Sequence, residues 1–249
     1  MTPLLSFANV GKCFPDGGRE ITVLDGVSFE VDAGVFVGLY GPRRSGKSTL
    51  LRIAAGIEQP DTGTVRYDGR ALQDMTRSQR GRLLRHELAF MASGDWRPHP
   101  GESVVDHVAM SLGSEGLTVR DARRRALGSL ERVGVTATCA DEPAGSLSLA
   151  ERTLVMLARA IVHEPRVLLV DEPAVMPSLS DRSRFYVLLR ELAGERGMAL
   201  LVVSEEMGAL QGSGLMMSIS GGEVCTTAEQ GIVVPLPRRS ARAAERSGS

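Results

Sequence analysis

The sequence predicts an α/β fold: a mainly parallel sheet covered by helices on both faces, with an antiparallel β portion and an inserted α-helical subdomain. Three observations predict it. First, an apolar run at residues 35–40 leads through Gly41-Pro42-Arg43-Arg44-Ser45-Gly46-Lys47-Ser48 into the helix-like Thr49-Leu50-Leu51-Arg52-Ile53-Ala54, giving strand, glycine-bearing loop and helix in succession. Second, Val167-Leu168-Leu169-Val170 has the composition of a strand buried on both faces and ends in Asp171-Glu172-Pro173. Third, further strand-like runs at 4–10, 27–31, 88–91, 199–203 and 215–219 are interspersed with helical patterns, which argues for parallel strands joined by crossovers. Between 93 and 164 the pattern becomes helical, with helices expected at 104–111, 118–133 and 150–163.

Each residue type in the loop suits phosphate. Gly41 and Gly46 let backbone N–H groups approach phosphate oxygens, and the N-terminus of the following helix adds roughly half a positive charge. Lys47 is placed to reach the β- and γ-phosphates and the Ser48 hydroxyl to ligate Mg²⁺, with Arg44, Ser45 and Thr49 completing the cradle. Asp171 and Glu172 stand at the C-terminal edge of their strand, where open α/β sheets place ligands. That position suits Asp171 as a Mg²⁺ partner and Glu172 as the catalytic group that orients or activates water. Together the two motifs define a P-loop NTPase.

Size and charge bound the rest. A chain of 249 residues with 43% hydrophobic content fits one large domain, here 1–235, followed by an Arg-, Ala-, Ser- and Gly-rich stretch at 236–249 that reads as a disordered tail. The net charge of −1 gives no reason to expect nucleic acid. Of the 29 basic residues only Lys12 and Lys47 are lysines, which makes a lysine in the loop more telling. Cys13, Cys139 and Cys225 are too scattered for a disulfide framework or a metal cluster. No run of about 18 apolar residues is present, so work at a membrane requires a second chain to span it. Arg120, Arg123, Arg124, Arg125 and Arg132 interleave with Asp121 and Glu131 as on a solvated helix face.

Residues 5–224 resemble the nucleotide-binding subunits of ATP-binding-cassette (ABC) transporters. Residues 50–65 look like the family's helix after the phosphate loop and its P-x-x-G turn, here Pro60-Asp61-Thr62-Gly63, and Asp68-Gly69-Arg70 follows as in the family. Leu24-Asp25-Gly26-Val27-Ser28-Phe29 and the stretch 82–90 are most similar to the subfamily serving lipoprotein-releasing, macrolide-exporting and cell-division permeases. The resemblance implies a RecA-like core, ATP and Mg²⁺ as cofactors, and Phe14 stacked on adenine. It also implies a cytoplasmic subunit, peripheral on the inner face of the membrane, held by an integral-membrane permease through the helical subdomain. Each nucleotide would lie in a sandwiched homodimer or heterodimer with another ABC ATPase, between one subunit's loop and the other's signature sequence, to which Ser148 belongs. The turn-rich Trp96-Arg97-Pro98-His99-Pro100-Gly101 carries the single tryptophan, either as an exposed permease contact or as a buried structural ring.

Four places depart from the family pattern. Ser93 stands for a glutamine, and Leu147-Ser148-Leu149-Ala150-Glu151 stands for L-S-G-G-Q. Ala174-Val175-Met176-Pro177-Ser178 replaces a turn that normally carries an aspartate, and Glu205 replaces a histidine, since none of His86, His99, His107 and His163 follows Glu172. Leu149 and Ala150 introduce Cβ atoms, costing about 1–2 kcal/mol each if left-handed torsions are needed there. Two readings follow: a subunit that couples slow or impaired ATP hydrolysis to a permease, or a regulatory or structural subunit that binds ATP without effective turnover. A soluble ABC ATPase working on DNA or ribosomes fits less well, because those carry coiled-coil insertions or two cassettes.

Overall fold

The computed structural model describes residues 2–172, 178–210, 212–227 and 233–235. Its N-terminal chain folds back at Gly17 and Gly18, whose φ values of 55° and 87° suit a tight reversal. This joins β1 (Leu5–Asp16) to β2 (Arg19–Val31), and β1 also pairs with β4 (Thr62–Tyr67), which pairs with the two-residue β5 (Arg70–Ala71). The result is an antiparallel sheet of order β2-β1-β4-β5. These strands run well beyond the expected 4–10 and 27–31. The extra length has little alternation to read: it is mostly exposed, and the β1–β2 register shifts between Phe7 and Cys13. Asp61 anchors it instead, accepting from Lys12 Nζ at 2.9 Å and Cys13 N at 2.8 Å.

The second sheet has the order β11-β10-β9-β3-β8-β7-β6. Strands β3 (Phe36–Tyr40), β6 (Leu88–Ala92), β7 (Val167–Asp171), β8 (Ala199–Ser204) and β9 (Leu215–Ser220) are parallel. β10 (Glu223–Thr227) and β11 (Val233–Pro235) extend it antiparallel. Along β7 the side chains alternate between two cores. Leu168 and Val170 join Phe36, Leu200 and Val202 against the helical insertion and α7 (Leu179–Arg196). Val167 and Leu169 join Val37, Leu39, Leu201 and Val203 against α1 (Lys47–Ala54), α2 (Arg77–His86) and the antiparallel sheet. A strand buried on both faces reads as a continuous apolar run, which is why β3, β7 and β8 were legible.

Between the adjacent strands β6 and β7 the chain makes α3 (Val104–Ala109), α4 (Val119–Arg132), α5 (Ala137–Ala140) and α6 (Leu149–Ile161). Ser103, Thr118, Thr136 and Ser148 cap them, each hydroxyl accepting a backbone N–H three residues on. The helix expected over 104–111 ends at Ala109, after which Met110–Leu112 tighten into a 3₁₀ turn. The arginine face of α4 is less solvated than expected. Arg123 pairs with Asp106, Arg125 with Glu115 at 2.5 Å, and Arg132 with Glu195 at 3.2 Å, so three of the five arginines tie α4 to other elements. Trp96 is half-buried, its ring 4.8 Å from that of His107, which favours the structural role. The Ala174–Pro177 part of the altered turn and the tail at 236–249 lie outside the described residues.

Candidate nucleotide site

Strand register assembles the site. Tyr40 pairs with Ser204, Val203 with Asp171, and Asp171 with Ala92, so β3, β8, β7 and β6 end in line. The segments leaving those ends carry the phosphate loop, Glu205, Glu172 and Ser93, which brings residues far apart in sequence to one edge.

The loop is fixed by close backbone packing. Gly41 N donates to Ser204 O at 3.1 Å. A Cβ on Gly41 would lie 2.6 Å from Ile219 O, and one on Gly46, whose φ is 100°, would lie 2.6 Å from Val23 O. Only glycine fits at either position. Arg44 also has a left-handed backbone, φ 61°, although it carries a side chain. Gly46 is the N-cap of α1 and offers no side chain to the first-turn N–H groups, which are left to face an anion. Lys47 is buried, its Nζ donating to Gly41 O at 2.7 Å and Pro42 O at 2.9 Å.

Across the loop, Ser48 Oγ donates to Asp171 Oδ1 at 3.0 Å, and Lys47 Nζ lies 3.6 Å from Glu172 Oε1. Burial pushes both carboxyls above their ordinary values, against the lowering effect of Ser48 on Asp171 and of Lys47 on Glu172. Glu172 has φ 46°, a left-handed torsion that turns its side chain back toward the loop. Its Oε1, like Ser45 Oγ, is buried without a hydrogen-bond partner. Two orphaned polar atoms, a buried lysine and a hydroxyl–carboxylate pair fit Mg-ATP. The loop N–H groups and Lys47 can hold the phosphates, and Ser48 with Asp171 can hold the metal.

Other expected residues are dispersed. Thr49 follows Ser48 on α1, half-buried. Phe14 lies on β1, 37% exposed and open to a flat partner, with Lys12 Nζ 5.4 Å from its ring centre. Ser148 is on α6 and makes its hydrogen bonds there. Its Oγ donates to Glu151 Oε2 at 2.6 Å, and the same carboxylate oxygen accepts Ser148 N at 2.8 Å. The Ser148 hydroxyl, then its backbone N–H, holds the Glu151 carboxyl below its ordinary value. Sequence reasoning missed a partner for Glu205: Arg43 Nε lies 3.1 Å from both its carboxylate oxygens. The legible clue is an arginine and a glutamate in the two segments that leave neighbouring strands.

Similar proteins agree with this geometry. A family model described as ABC transporter matches residues 24–175. The lipoprotein-releasing system ATP-binding protein LolD of Legionella pneumophila (strain Paris) is 32% identical over 206 residues, 82% of this chain and 88% of that protein. LolD of Pseudomonas syringae pv. tomato is 31% identical over 224 residues, 89% and 96% of the two chains. The bacterial ABC transporter cassette MJ0796, solved as a dimer, superposes with a TM-score of 0.81 at 25% identity, covering 88% of this chain and 96% of that one. A dimeric post-hydrolysis state of the same cassette, bound to ADP and Pi, gives the same values. The chain belongs to the ABC transporter family, as an ATP-binding subunit with the α/β P-loop fold.

Proposed function

We propose that this chain binds Mg-ATP, pairs with a second ABC ATPase subunit and couples nucleotide binding to a separate membrane permease, with slow hydrolysis. The observation that carries the binding reading is the Lys47–Glu172 and Ser48–Asp171 geometry on a loop that only glycine permits. When bound, Mg-ATP supplies the phosphoanhydride bond. Lys47 exchanges the Gly41 and Pro42 carbonyls for phosphate oxygens, Ser48 and Asp171 hold the metal, and Glu172 takes the proton of attacking water. Phe14 stacks on adenine. The domain spans 1–235 with its helical subdomain at 93–164, attached to the cytoplasmic side of the membrane through the permease.

Slow turnover rests on altered parts of the closed dimer. Glu151 occupies the Ser148 hydroxyl and adds a negative charge to the α6 N-terminus, the surface meant to meet the partner's nucleotide. Leu149 and Ala150 add side chains beside it, and Ser93, the turn after Pro173 and Glu205 complete the set of changes. The Glu151–Ser148 bond also favours the second reading, a regulatory ATP-binding subunit without effective turnover.

Calorimetric titration with Mg-ATP should show binding that Lys47→Ala abolishes; equal affinity in the variant overturns the binding reading. Phosphate release from the purified permease complex tests turnover. Joint replacement Ser93→Gln, Leu149→Gly, Ala150→Gly and Glu205→His should raise it well above wild type, with Glu172→Gln as background. Wild-type turnover near 10 s⁻¹, a rate ordinary for enzymes, that Glu172→Gln removes would refute impairment.

A further inference from the structure

At the N-terminal ends of β6 and β7, opposite the edge that carries the nucleotide site, His86, Glu115 and His163 converge. Register explains why two of them meet. Leu88 pairs with Val167, and Glu87 O accepts both Arg166 N at 2.8 Å and Val167 N at 3.0 Å. This holds the end of α2, with His86, beside the segment after α6, with His163. Glu115 arrives from the connection between α3 and α4. Five-residue strands separate this cluster from the nucleotide edge by about 16 Å.

The contacts of His163 set two acceptors against each other. Its Nε2 lies 3.1 Å from Ser111 O, a carbonyl that only accepts, so Nε2 carries the hydrogen. Its Nδ1 lone pair then faces Glu115 Oε1 at 2.7 Å, acceptor against acceptor. A proton or a metal ion resolves that conflict. His86 Nδ1 lies 3.9 Å from the same oxygen, and the ligand atoms of all three residues fall within 4.8 Å of one another. A proton joins two such atoms; a metal ion joins three.

We propose that His86, Glu115 and His163 form a site for a divalent transition-metal ion of the zinc class, strapping α2 to the helical insertion. Two nitrogens and one carboxylate oxygen leave a fourth tetrahedral position for water. Tetrahedral ligands at 2.0–2.1 Å stand about 3.4 Å apart, between the 2.7 Å and 3.9 Å that separate Glu115 Oε1 from the two imidazole nitrogens. The outer contacts match those of metal sites. The second His163 nitrogen is held by a backbone carbonyl, and Arg125 fixes Glu115 Oε2 at 2.5 Å, turning Oε1 to the imidazoles. Arg125 Nη2 is itself anchored on Val162 O at 3.1 Å. His163 and Glu115 are largely buried, while His86 is half-exposed and completes the site from the rim.

The test is titration of the chelator-treated, nucleotide-free full chain with Co²⁺. Binding should give visible d–d bands of a nitrogen–oxygen site, without thiolate charge transfer from the three cysteines, and Zn²⁺ should displace it. His86→Ala and Glu115→Gln should each weaken binding at least about tenfold, while His99→Ala, on an exposed loop, leaves it unchanged. Zn²⁺ at a hundredfold excess over its Kd should raise Tm by about 5–10 °C, and His86→Ala should abolish that rise. Mg-ATP titration of each variant verifies its fold. Absence of d–d bands, or equal Co²⁺ affinity in His86→Ala, overturns the proposal and assigns the cluster to a proton-bridged ion pair.

Discussion

Removing the Arg43 guanidinium should weaken Mg-ATP binding through Glu205. The pair is exposed on the arginine side, so its contribution to folding is about 0–1 kcal/mol. Its effect on an anion is larger. An uncompensated Glu205 carboxylate repels one phosphate charge by about 4 kcal/mol at 4 Å and about 2 kcal/mol at 8 Å, with an effective dielectric near 20. Arg43, with both carboxylate oxygens 3.1 Å from Nε, offsets most of that. Arg43→Ala alone should therefore weaken binding by tenfold or more, and Glu205→Gln alone should strengthen it modestly. In the double variant the Arg43→Ala penalty should shrink, giving a coupling of at least about 1 kcal/mol. Calorimetry on the four proteins, at low salt and again at 0.5 M, is the assay, since screening should reduce the coupling. Effects that add to within about 0.5 kcal/mol at low salt would refute the reasoning.

The raised Asp171 and Glu172 carboxyls bind protons more tightly folded than unfolded, so each lowers stability as pH rises from its ordinary range through its folded value. Asp171→Asn and Glu172→Gln should accordingly raise Tm of the nucleotide-free protein at pH 7, and a lower Tm in both would contradict the shifts. Arg44→Gly removes a left-handed torsion on a side-chain-bearing residue and should stabilise by up to about 1 kcal/mol in urea unfolding. Glu151→Ala should lower stability by about 0.5–2 kcal/mol through the lost capping box while freeing the Ser148 hydroxyl, so ATP-dependent dimer formation measured by light scattering should increase.

What could be read from sequence was what the chain writes locally. The phosphate loop occupies eight consecutive residues flanked by a strand and a helix, and Asp171-Glu172 ends a run whose burial on both faces leaves no polar residue to confuse it. The β1–β2 hairpin was hidden because its distal half is polar and held by Asp61 from the segment just before β4. α2 went unassigned because its one buried residue, Leu83, sits among arginines, and α7 because exposed Leu179 and Val187 blur the buried stripe of Phe185, Tyr186, Leu189, Leu192 and Ala193. The Arg43–Glu205 pair spans 162 positions, and the His86–Glu115–His163 cluster depends on β6 and β7 being neighbours. Both are products of sheet order, which no local pattern encodes.

Lys47 has the longer consequence. Its ammonium donates to the carbonyls at the start of its own loop, so the curve of the loop is held by a bond the lysine supplies. In the proposed reading, capture of a triphosphate would trade two neutral carbonyl oxygens for charged phosphate oxygens at a single nitrogen, and each new bond would be the stronger one. The lysine would then add to the affinity supplied by the backbone amides and the metal. Release would return the ammonium to the Gly41 and Pro42 carbonyls, which hold the loop in the shape described here.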